Sequence, residues 1–108
     1  MNREVLAGMK LEDAILGALN RDGDEIIFAR KPWSRTSEAI FDELNEDCTV
    51  PSALLAEGYC YFLEGYLVRE ILDARAKRLL SETQMVDMIM YYGTHDGFPD
   101  WANALLSF

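Results

Sequence analysis

The chain has 108 residues, 19 acidic and 10 basic side chains, a formal net charge of -9, and half of its residues apolar. A surface of that sign repels nucleic acid and anionic lipid and speeds encounter with basic proteins. The apolar content excludes a disordered chain, and the length is that of one domain, 1–108, able to fill its own core.

Residues 1–7 carry one arginine, an early Glu4 and no long apolar core, so no signal peptide is expected. No apolar run approaches the roughly 20 residues of a membrane span. Cys48 and Cys60 are too few for a disulfide scaffold, and Cys60 sits in the apolar run 59–63. Both read as reduced thiols, with the cytoplasm as the expected compartment.

Residues 9–20 form the first predicted helix. Leu11, Ala14, Ile15, Ala18 and Leu19 make one apolar stripe, with Glu12 and Asp13 in the first turn. The run 20–24 ends it, Gly23 being free to take positive φ. Residues 25–30 are β-branched and aromatic and stop at Lys31-Pro32, which predicts a strand. A second helix is expected from Thr36 or Ser37, with Ile40, Phe41 and Leu44 inward and Asp42, Glu43, Glu46 and Asp47 outward.

Val50-Pro51-Ser52 opens a short turn or helix that reaches Gly58. For 59–63, five apolar residues between Gly58 and Gly65 favour a strand paired with 25–30. Continuous helix is the rival, because Leu63, Leu67, Ile71 and Ala74 share one helical face. Residues 66–79 read as helix, with Arg69/Asp73 and Asp73/Lys77 as exposed i,i+4 pairs. Ser81-Glu82-Thr83-Gln84 fits a capping box, and Met85, Val86, Ile89 and Met90 give the helix over 82–92 its buried face. Residues 93–97 break that helix. Pro99 opens a last one through Leu106, with Trp101, Leu105 and Phe108 as its apolar side.

The chemistry-bearing patterns are sparse. Three Cys and His residues, at 48, 60 and 95, contain no closely spaced pair, so a zinc site is not expected. Residues 22–25 are too short for a calcium loop, and the scattered glycines form no phosphate cradle. His95 has Asp96 and Asp100 nearby but no nucleophile that spacing brings to it. The expectation is a non-enzyme that uses no cofactor.

Two groups remain as candidate partner-binding residues. The acidic cluster Asp42, Glu43, Glu46 and Asp47, joined by Asp22, Asp24 and Glu25, suits the Lys and Arg of a basic protein. Its bland counterpart is a solvated face that keeps the domain soluble. The segment 91–101 packs four aromatics and the sole histidine into eleven residues, so Tyr92, His95, Asp96 and Trp101 could make a recognition loop. Alternatively the segment is a joint between helices whose aromatics fold back into the core. The basic stretch 69–78 is interrupted by Glu70 and Asp73 and reads as a helix face rather than a nucleic-acid patch.

These observations lead to one expectation. The fold class is α+β and predominantly helical, with four to five helices and a two-stranded sheet where 25–30 can pair with 59–63. The expected function is that of an inhibitor or immunity-type protein that neutralises a basic partner, such as a bacterial toxin or nuclease. The alternatives are a homodimeric structural or regulatory module, and a small-molecule binder or small enzyme.

Overall fold

The computed structural model describes residues 9–106, so the reading of residues 1–7 and the placement of Phe108 lie outside the described residues. Within them the fold is α+β, with six helices and four antiparallel strands in one sheet. The strands are β1 (Met9–Lys10), β2 (Ile26–Arg30), β3 (Glu38–Asp42) and β4 (Tyr59–Glu64), in spatial order β1-β3-β2-β4. The helices are α1 (Leu11–Gly17), α2 (Ser52–Ala56), α3 (Gly65–Ile71), α4 (Ala74–Leu79), α5 (Glu82–His95) and α6 (Asp100–Leu106).

β2 is the central strand. Its first four residues are all buried, because one face lies under the helices and the other under α2 and its flanking loops. Ile27 and Ala29 join the larger core, built with α1, α3, α4, α5 and α6. Ile26 and Phe28 turn to a smaller core with Ile40, Leu54 and Tyr59. The segment 59–63 is strand, as its aromatic run favours, and it pairs antiparallel with β2. A bulge between Ile27 and Phe28 gives β4 an extra residue, which lets Phe62 and Leu63 both enter the larger core.

The expected helix from Thr36–Ser37 is instead β3. Ala39, Ile40 and Phe41 are buried in succession, and alternation sends Ala39 and Phe41 to one core and Ile40 to the other. A helix would have buried a single stripe. The Ser37 hydroxyl caps nothing helical; it donates to Pro32 O and accepts from Ser34 N, organising the β2–β3 connection. The sheet therefore has four strands rather than two, and Asp42, Glu43, Glu46 and Asp47 do not share a helix face.

The predicted helix 66–79 is two helices. The first ends at Leu72, and Asp73 caps α4, accepting from Ala76 N at 3.0 Å, so it does not serve as a mid-helix ion-pair partner. Arg69 turns away to donate to Ala18 O and Gly23 O. The capping box at Ser81 and Gln84 is complete. α5 runs on through Gly93 to His95 and ends at Asp96, which takes the left-handed conformation. Pro99 opens α6 as expected, but its buried side is Ala102 and Leu106, while Trp101 and Leu105 face solvent.

α1 starts later than expected because Met9 and Lys10 pair with β3, and its last turn tightens into a 3-10 turn at Ala18–Asn20. No side chain caps its start. Leu11 N and Glu12 N donate to Ser37 O and Arg35 O of the β2–β3 connection. No helix among the described residues is long and apolar enough to cross a membrane.

Candidate functional site

The sheet register builds the candidate site. Ile26 pairs with Asp42, so Glu25 and Glu43, one residue further on, arrive at the same end of the β2–β3 ladder. A cavity of about 410 Å³ opens there, within the size range of ligand pockets. Among the described residues its walls are Met9, Ile40 and Phe41 on the apolar side, and Arg21, Glu25, Asp42 and Glu43 on the polar side. Asp42 is half-buried and accepts from Glu43 N through Oδ1, which orients its own carboxylate.

Arg21 is the cationic member of this group. Its guanidinium carbon lies 4.0 Å from the centre of the Phe41 ring, and its Nη2 is 2.6 Å from Glu25 Oε1. Both side chains of that ion pair remain more than a third exposed. One guanidinium therefore covers the Phe41 ring and pairs with Glu25, with Glu43 in the same cavity wall. Among the described residues the arrangement has no nucleophile; what it can do is hold a cationic side chain with an apolar stem.

Glu46 and Asp47 lie apart from the cavity, in the exposed loop after β3. Asp47 Oδ1 accepts from Thr49 Oγ1 at 2.6 Å and from Thr49 N at 3.2 Å. These bonds hold its carboxyl below the ordinary 3.8, the hydroxyl of Thr49 contributing most. Asp47 is thus a turn-building residue. Asp22 and Asp24 are exposed in the preceding turn, and neither lines the cavity.

The segment 91–101 divides between the two readings that its composition allows. Tyr92 packs against Phe98, with ring centres 5.2 Å apart, and both lean on the larger core. Tyr91 and His95 stack on the exposed side of α5 at 4.2 Å, and Asp96 and Trp101 are exposed. None of Tyr92, His95, Asp96 and Trp101 lines the cavity that Asp42 and Glu43 border. The two sequence-predicted groups are not brought into one pocket.

A second acidic grouping escaped the sequence reading. Glu12 and Asp13 of α1, Arg35, and Glu82 of α5 border a shallower cavity of about 200 Å³. Arg35 ties the elements together there. It bonds to the Asp87 carboxylate and to Thr83 O, and stands 3.8 Å from Glu12. Only the packing of α1 against α5 reveals this cluster, since its members are up to 75 positions apart, from Glu12 to Asp87. Among the described residues no group of three or more His, Cys, Asp or Glu is placed to hold a metal ion.

Arg21 was also missed as a site residue. The available signal was an i,i+4 spacing between Arg21 and Glu25, which in a turn carries little weight on its own. Comparison with models of known protein families, with curated proteins and with solved structures gave no match to this chain.

Proposed function

We propose that this chain is a small acidic protein-binding domain of the inhibitor or immunity type, acting in the cytoplasm on a basic protein such as a toxin or nuclease. The observation that carries the reading is the cavity at the end of β2 and β3. It joins an apolar floor of Met9 and Phe41 to the carboxylates of Glu25 and Glu43, on a chain of net charge -9. Charged groups so placed speed encounter, while a concave apolar floor supplies what a flat acidic face lacks, an anchor point.

The test compares the wild-type protein with Glu43→Lys/Glu46→Lys, both exposed positions, as bait in host lysate. A stoichiometric basic protein, released from the wild type as salt rises and not retained by the variant, is the expected result. Equal retention of that protein by the variant would refute the acidic-cavity reading.

Self-association has support of its own. Trp101 and Leu105 lie one turn apart on α6, 36% and 49% exposed. Sedimentation of Trp101→Ser beside the wild type separates this reading, since a monomeric wild type at high concentration removes it.

A further inference from the structure

We infer that the cavity at the end of β2 and β3 is a guanidinium site, and that the chain's own Arg21 covers its Phe41 ring face and its Glu25 carboxylate until an arginine of a basic partner takes its place. This rests on the reading of that face as the partner-binding surface and adds to it the chemical class of the ligand and the regulation of the site.

The seated group identifies the chemistry. The Arg21 guanidinium lies over the Phe41 ring at 4.0 Å and donates from Nη2 to Glu25 Oε1 at 2.6 Å. A flat, delocalised cation satisfies a ring face and a carboxylate together, which the compact ammonium of lysine does less well. Met9 offers apolar wall to the methylene stem that such a group brings with it. Glu43 in the same wall adds a carboxylate beyond the one Arg21 engages.

Arg21 is held lightly enough to leave. It projects from an exposed turn after α1, and both members of its ion pair are open to water, where such pairs are weak and screened. Arg35 in the second cavity makes the contrast. It is shared by Glu12 of α1 and by Thr83 and Asp87 of α5, so moving it would separate two elements. Among the described residues, swinging Arg21 out breaks its contacts with Phe41 and Glu25, and it frees that ring face and carboxylate to the cavity. While it is seated, an incoming arginine finds the Phe41 ring face and Glu25 free only part of the time, and its apparent affinity falls by that fraction.

Calorimetric titration of the whole protein with hexa-arginine and hexa-lysine peptides tests this. The variants are Arg21→Gln, Glu43→Lys, and Lys77→Gln on α4, which makes the same charge change as Arg21→Gln but does not line the cavity. Hexa-arginine is expected to bind tighter than hexa-lysine, and Arg21→Gln to tighten hexa-arginine by roughly three- to ten-fold, the strength of an exposed cation–π contact and surface ion pair together. Lys77→Gln should change affinity less than about two-fold, the scale of one remote, screened charge. Equal tightening by Arg21→Gln and Lys77→Gln, or weakening by Arg21→Gln, would overturn the self-occupied site and leave the basic-partner reading standing. Hexa-arginine binding that Glu43→Lys leaves unchanged, or no binding at all, would overturn the site itself.

Discussion

Gly93 of α5 lies flush against the ring of Phe62 on β4; a Cβ placed on Gly93 would stand 2.6 Å from Phe62 Cε1. The ring has nowhere to go, being buried in the larger core and set edge-on to Trp33 at 4.9 Å. Gly93→Ala gains about 1 kcal/mol of helix propensity but forces an overpacked contact costing about 1–3 kcal/mol. A net loss of about 1 kcal/mol is expected in urea unfolding. In a Phe62→Leu background the same change should become neutral or stabilising, because the obstructing ring edge is gone.

Tyr61 donates its hydroxyl proton to the Glu64 carboxylate, and burial together with that bond pushes its phenol well above the ordinary 10. The folded state therefore favours the protonated form. Its contribution is complete below the unfolded phenol's value and is lost as pH rises through the higher native one. Alkaline titration followed by tyrosine absorbance should show one late phenol that ionises as the fold is lost. Tyr61→Phe should remove that step; its persistence would assign it to another tyrosine.

Arg35 ties α5 to α1 from the β2–β3 connection through Asp87, Thr83 O and Glu12. The pairs are partly exposed, so Arg35→Gln is expected to cost about 1 kcal/mol in low salt and less as salt rises. A double-mutant cycle with Asp87→Asn measures the shared part. Additive losses would mean that Asp87 is not the partner that matters.

Local signals in the sequence carried those parts of the fold that local chemistry decides. Ser81 and Gln84 announce a helix start because both halves of the capping box lie within one turn. The aromatic run 59–63 and the apolar run 25–30 announce strands, and they pair. At 38–42 the same kind of reasoning failed. Ser37 resembles a helix cap, and Ile40, Phe41 and Leu44 fit a helical stripe; only pairing with both β1 and β2 makes the segment a strand, and that information lies elsewhere in the chain. Asp73 misled for a related reason. An aspartate four residues from both Arg69 and Lys77 looks like a pair-former inside a helix, yet it stands where one helix ends and the next begins.

The acidic site was half legible for the same cause. Asp42 and Glu43 were visible as charge, but their company is set by strand register. Pairing of Ile26 with Asp42 recruits Glu25 and leaves Glu46 and Asp47 in a separate loop. Arg21 carried no mark of its role, because sequence does not show which ring its guanidinium would cover.

The first amides of α1 are bound by carbonyls of Arg35 and Ser37, not by a residue of its own segment. The helix thus inherits its starting point from a connection some 25 positions downstream, and the two are heritable only as a unit. Grafting residues 9–20 onto another scaffold would leave behind what begins the helix. Lengthening or shortening the β2–β3 connection would shift the anchor from under it. Variation at 31–37 is therefore constrained by a helix that this loop does not adjoin in sequence.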